Sequence, residues 1–183
     1  MNEKNAKKVF RGKIFSVWQW EQKLYDGTTK TFEHVTRTDA VRVIGVMPDK
    51  RILFVWDEQP DREGVLSMAG GQIDADETPE KSAKREFLEE TGYEVGTLTP
   101  IATQAMPGRI VFSVHYFIGQ DLTKKTEPQQ SPGEKISLRF FTFDEFLALG
   151  HDESLRDQRI RITLLEAQID PKKKEMLYKM LYE

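Results

Sequence analysis

The chain has 183 residues, a net charge of −3 and no cysteine. That length suffices for one domain with a sizeable core, and the missing cysteines exclude disulfides, Cys-based zinc sites and a thiol nucleophile. No apolar run approaches a membrane span, Lys4, Lys7 and Lys8 are followed by no apolar stretch of a secretory signal, and no basic footprint for nucleic acid exists, so a cytoplasmic protein with neither membrane nor nucleic acid as partner is expected.

In chain order, residues 15–25 alternate loosely and contain Trp18 and Trp20. Asp26-Gly27 signals a hairpin, and residues 30–36 read as its returning strand. Residues 40–47 form a Val-rich strand, Pro48-Asp49 a turn, and residues 51–56 another strand. Residues 57–64 read as a polar loop, and 65–69 lead to a helix with Thr78 as N-cap, Pro79 as first helical residue and Gly92 as stop signal. Strands over 94–105 and 111–120 flank a Pro107-Gly108 turn. Residues 123–133, with two prolines and a terminal glycine, form the best candidate for a mobile loop. A strand over 137–143, a short helix over 144–149 after an Asp cap, helical spacing over 155–169 and a last helix from Pro171 to Tyr182 complete the chain. No repeat or linker interrupts it, so one domain over 1–183 is expected, with a strand region at about 10–38 and C-terminal helices at about 155–183. The fold class is α/β, an α/β/α sandwich around a mixed β-sheet with an N-terminal antiparallel strand region.

The most informative segment follows Gly70 and runs over 71–93. On a helix, Glu86, Glu89 and Glu90 span an arc of roughly 100°, with Ala83, Phe87 and Thr91 on the adjacent, core-facing arc. Carboxylates gathered in this way repel one another unless a cation sits among them, and hard divalent cations are the usual partners of phosphate groups. A solvated acidic face is the plainer reading of any one Glu-Glu pair.

The full pattern is more specific: Gly71, Glu77, Arg85-Glu86-Phe87, Glu89-Glu90 and Gly92-Tyr93 match every defined position of the Nudix box. Chance agreement at seven identities is on the order of one in 10⁸ per start position. The chain resembles a Nudix hydrolase, and around the box it is most similar to the ADP-ribose pyrophosphatase branch. That likeness rests on Gly71-Gln72-Ile73-Asp74, the Pro107-Gly108 turn, Gly133-Glu134-Lys135-Ile136 and Arg156-Asp157. Ala69-Gly70 stands where the branch has Pro-Ala.

The resemblance implies a Nudix-type sandwich and a metal-dependent pyrophosphohydrolase using Mg²⁺ or Mn²⁺ on a small nucleotide, with ADP-ribose cleaved to AMP and ribose 5-phosphate. It implies Glu86 and Glu90 as metal ligands, Glu89 on a second ion or acting through water, and the Gly70 carbonyl in the same shell. Arg85 orients the carboxylates, Glu134 is the catalytic base or a further ligand, and Arg37 contacts phosphate. Pro107, Gly108 and Arg109 fall at the substrate, while Phe15, Trp18 and Trp20 are candidates to stack its base. Gln59 stands before Pro60 where the branch carries an arginine, and Arg109 is a candidate replacement for that cation. A homodimer through the N-terminal strands is implied as well. Other expectations stay open: a nucleotide sugar, a dinucleoside polyphosphate or an oxidised nucleoside triphosphate as substrate, or a non-catalytic nucleotide-sensing module. His34, His115 and His151 lack ligand spacing, and Met68 and Met106 read as packing residues.

Overall fold

A computed structural model describes residues 5–129 and 133–183; residues 130–132, inside the expected polar loop, lie outside that description. Strands β1 (Lys7–Arg11), β2 (Ser16–Lys23) and β3 (Thr29–Thr36) form an antiparallel N-terminal sheet. Gly27 turns the β2–β3 hairpin at φ 86°, and the Asp26 carboxylate accepts from the Thr28 backbone N–H at 2.9 Å.

The main sheet starts with β4 (Ala40–Val46), β5 (Ile52–Gln59) and β6 (Arg62–Ser67). The loop expected over 57–64 is therefore a hairpin: β5 continues to Gln59 and β6 returns beside it, pairing Asp57 with Val65 and Gln59 with Arg62. Polarity misled here because the paired backbone holds these strand ends while several of their side chains face a cleft rather than the core. Helix α1 (Pro79–Thr91) is capped as expected, with the Thr78 side chain accepting from Lys81 N–H and Gly92 closing the end at φ 74°.

Beyond α1 come β7 (Tyr93–Glu94), β8 (Thr97–Ala105), β9 (Ile110–Val111), β10 (Ser113–Gln120), β11 (Thr123–Lys124), β12 (Lys135–Phe141), α2 (Phe143–Ala148), α3 (Gln158–Ile169) and α4 (Pro171–Tyr182). The expected strand over 111–120 is split: β9 leaves the main sheet and pairs in parallel with β3. Helix α2 begins at Phe143 rather than behind an Asp cap, because Thr142 and Glu145 satisfy each other's backbone N–H groups in a capping box. Helix α3 begins at Gln158, capped by Asp157, since Leu155 is spent on a bridge to Leu66.

The main sheet runs β12-β5-β4-β10-β8, with β6 also on β5; only β4 and β10 pair in parallel. Alternation along the strands sorts side chains between two layers. Val41, Val43, Leu53, Val55 and Phe117 pack with Ala83 and Phe87 of α1. Ile44, Ile52, Phe54, Tyr116 and Ile118 pack with Phe146, Leu164, Leu177 and Leu181 of the C-terminal helices. A strand buried on both faces reads as a continuous apolar run, as β4 does. The structure is the mixed α/β sandwich expected. No helix among the described residues is long and apolar enough to cross a membrane.

Candidate active site

A cleft of about 500 Å³ opens where α1, the chain just after β6, the start of β12 and the approach to α3 meet. Gly70, Gly71, Glu86, Glu90 and Glu134 line it, together with Arg37, Arg42, Asp57, Gln59 and Arg156.

Residues after β6 run antiparallel along β4, with Val43 N–H donating to the Ala69 carbonyl at 2.8 Å and Val41 N–H to that of Gly71 at 2.9 Å. Between them Gly70 adopts φ 142°, and a Cβ there would stand 2.2 Å from the Val41 carbonyl oxygen, so only glycine fits. A Cβ on Gly71 would stand 2.5 Å from the Glu86 carboxyl carbon. The two glycines thus let a bare backbone approach the helix carboxylates. Gly70 N–H donates to Glu90 Oε2 at 2.8 Å, and its carbonyl accepts from Arg42 Nη1 at 2.6 Å.

Arg85 ties the box together: it donates to Glu77 at 2.9 Å, to Glu86 at 2.9 Å and to Glu89 at 3.1 Å. The bonds from Arg85 to Glu77, with one from the Ser82 hydroxyl, hold the Glu77 carboxyl down at about 2. Hydrogen bonding to Glu77 also raises Arg85 above the ordinary arginine value. Glu86 is shifted up, unlike Glu77, because burial outweighs the opposing pull of Arg85. Glu90 keeps some accessible surface as part of the cleft wall, yet protein crowds it on its other sides. That burial pushes its carboxyl up to about 8, against the favourable Gly70 N–H. Among the described residues no three Asp, Glu or His side chains close around a common point. The acids stand as hard oxygen donors whose ionised forms are disfavoured by burial, which is the chemistry a divalent cation completes.

Antiparallel pairing of Lys135 with Glu58 carries Glu134 to the end of β5. There the Gln59 amide donates to Glu134 Oε1 at 3.2 Å and to Asp57 Oδ1 at 3.4 Å. Asp57 is ion-paired with Arg62 and lies 3.8 Å from Arg156 Nη1. Arg37 reaches the cleft with its guanidinium 4.7 Å above the Phe112 ring.

Several expected site residues are elsewhere in this chain. Arg109 does not line this cleft: β9 pairs with β3, so its guanidinium lies 4.7 Å over Phe32 and donates to the Glu33 carbonyl at 2.8 Å. Pro107 and Gly108 sit in the bend before β9 and do not line the cleft. Trp18 donates to Thr36 Oγ1 at 3.0 Å within the N-terminal sheet, and Phe15 is exposed beside it, leaving Ile14 as that region's contribution to the cleft wall. Glu89 is held by Arg85 just outside the lining residues. Arg42, Asp57 and Arg62 were not foreseen. A signal existed for Arg42, a lone charge within the apolar run of β4, since charges are rarely placed in a two-faced strand without a partner.

A family profile described as the NUDIX domain matches residues 36–161. The chain belongs to the Nudix family. As a Nudix protein it falls in the class of pyrophosphohydrolases, in accord with the box acids and their setting. It is 26% identical to an ADP-ribose pyrophosphatase of Bacillus subtilis (strain 168), covering 88% of this chain and 89% of that one. It is also 26% identical to the methanol dehydrogenase activator of Bacillus methanolicus over 90% of each chain. A GDP-mannose pyrophosphatase of Klebsiella pneumoniae subsp. pneumoniae is 32% identical, over 55% of this chain and 52% of its own. Among solved structures, an ADP compounds hydrolase superposes with a TM-score of 0.74 at 21% identity, over 93% of both chains, a likeness of fold.

Proposed function

We propose that this Nudix protein hydrolyses the diphosphate linkage of a nucleoside diphosphate derivative with the help of Mg²⁺ or Mn²⁺, ADP-ribose being the favoured substrate. The observation that carries the reading is the pair Glu86 and Glu90, two carboxylates raised in pKa by burial, in one cleft with Arg37, Arg42 and Arg156. Buried carboxylates on one wall and arginines on the other suit a cation and a phosphate chain together.

In this reading Glu86, Glu90 and the Gly70 carbonyl hold the ion, with Glu89 on a second ion or acting through water. A bound divalent ion supplies charge neutralisation for the diphosphate and a more acidic water. Glu134 takes the proton of the attacking water, held toward the cleft by the Gln59 amide. Arg85 keeps Glu86 and Glu89 oriented, and Arg37 binds phosphate. The full-length similarity to an ADP-ribose pyrophosphatase supports ADP-ribose, with AMP and ribose 5-phosphate as products. A nucleotide sugar is the second reading, supported by the GDP-mannose pyrophosphatase relative and by Gln59 in place of an arginine.

The protein is further proposed to act as one domain over 1–183 in the cytoplasm and to pair with a second copy through the N-terminal strands. Exposed Val9, Phe10, Ile14 and Phe15 in that region support the pairing. The deciding experiment compares ADP-ribose, nucleotide sugars, dinucleoside polyphosphates and nucleoside triphosphates with Mg²⁺ and with Mn²⁺. ADP-ribose is expected to give the highest kcat/KM and equimolar AMP and ribose 5-phosphate. Faster turnover of a nucleotide sugar would overturn the substrate, and no metal-dependent turnover of any member would overturn the hydrolase reading.

A further inference from the structure

Beside the acidic cleft a second lobe of about 230 Å³ opens, sharing Arg37, Arg42 and Arg156 with it. Arg159 adds a fourth guanidinium to its wall. The acids there do not balance these charges. Asp157, the one acid in its wall among the described residues, is bonded by the Tyr116 hydroxyl at 2.9 Å and by Ile160 N–H at 3.0 Å, and nearby Asp57 is shared between Arg62 and, at 3.8 Å, Arg156. Burial and the neighbouring Arg42 hold both Arg37 and Arg156 below the ordinary arginine value. The crowding is one that an anion relieves.

Two further observations narrow the occupant. Gln104 lines the lobe with a buried side-chain oxygen that has no hydrogen-bond partner, an orphan that a ligand hydroxyl would satisfy. The two aromatic rings in the wall are already covered by cations, Phe112 by Arg37 at 4.7 Å and Tyr116 by Arg159 at 5.8 Å. Faces so covered are poorly placed to stack a nucleobase, whereas guanidinium groups and a free amide suit a charged sugar.

We infer that this basic lobe binds the non-nucleoside half of the substrate through an anionic group carried on it. Within the proposed substrate class, a compound whose second sugar bears its own phosphate or carboxylate is then preferred to its uncharged counterpart. The inference rests on the hydrolase reading and sharpens its substrate class. In that reading the diphosphate takes Arg37 beside the carboxylate wall, so Arg159, which lines this lobe and not the acidic cleft, is left for a further charge.

The test uses matched pairs that differ only in that charge: UDP-glucuronate against UDP-glucose, and ADP-ribose 1″-phosphate against ADP-ribose, at fixed Mg²⁺. The anionic member of each pair is expected to have a kcat/KM higher by about 10-fold, the worth of one charge-assisted hydrogen bond, mainly through KM. The advantage should shrink as NaCl is raised, because the lobe is open to screening. In Arg159→Met, checked for native circular dichroism, the anionic-to-neutral ratio should fall toward one, whereas Gln104→Leu should weaken both members of a pair alike and leave the ratio in place. A ratio at or below one in the unaltered protein, or one unmoved by Arg159→Met, overturns the inference while leaving hydrolysis standing. If neither member of either pair is turned over, the proposed substrate fails instead. Calorimetric titration of the same four compounds into the Mg²⁺-loaded protein then decides the lobe by the same ratio.

Discussion

Glu90 concentrates the physical argument at the scale of single residues. Its ordinary carboxyl value is 4.5, and burial raises it to about 8 in the folded chain. Between those values the unfolded chain is ionised while the folded one keeps its proton. Metal-free stability therefore falls as pH rises from about 4.5 to about 8 and levels off above. Glu90→Gln removes this dependence, so at pH 8 without metal the variant is expected to melt higher than the parent by roughly 5 °C. The same variant should lose activity by more than the about 100-fold that an outer-shell change can cost, and lose the Mg²⁺-induced rise in Tm. Thermal melts with and without Mg²⁺, beside single-turnover rates, read both effects; a variant that melts lower at pH 8 would show that Glu90 is not short of charge. Gln59 acts through another group. Gln59→Leu removes the amide that donates to Glu134 and Asp57, and kcat is expected to fall about 10-fold with a smaller change in KM. The pH profile of kcat should move with it if Gln59 positions the base, and stay in place if Gln59 only packs.

At the scale of elements, α1 shows how local and distant constraints combine. Its caps, Thr78 and Gly92, and the Glu86–Glu90 spacing are local and could be read directly from the chain. Its seat on the sheet is not local. Gly45 of β4 leaves the space that Phe87 fills, and a Cβ there would stand 2.6 Å from the ring's Cζ. Gly45→Ala is expected to cost about 1–3 kcal/mol by lifting α1 from the sheet, and to weaken Mg²⁺ binding because Glu86 and Glu90 move with the helix. Denaturant midpoints and metal titration check the pair of effects; lost stability with unchanged metal affinity would separate the seat of α1 from the site. The misread hairpin at β5 and β6 has the same origin. Its hydrogen bonds run between backbones, and composition does not report them. Its polar side chains look like a loop until it is known that Asp57 and Gln59 line the cleft and that Arg62 pairs with Asp57.

Across the whole molecule, two helical layers enclose one mixed sheet, and the site opens where α1, the glycine segment, β12 and the approach to α3 converge. The tail after residue 170 is part of this packing: α4 buries Leu177 and Leu181, and the Tyr182 hydroxyl donates to the Lys50 carbonyl at 2.9 Å. A chain ending at Asp170 is expected to lose about 4 kcal/mol, about 2 for each leucine, seen as a lower urea midpoint. An unchanged midpoint would mean α4 merely rests on the surface. The sequence by itself determined the box helix, the acids on one of its faces, the family and the alternation of strands and helices. These are carried by short-range periodicity and by residue types whose spacing along one helix is also their spacing in space. Only the tertiary structure decided which other residues share the cleft. It brought in Arg42 and Asp57, sent Arg109 to Phe32, and put Glu134 against β5. Those outcomes depend on strand pairing between distant segments, where a single register choice sets which side chains meet.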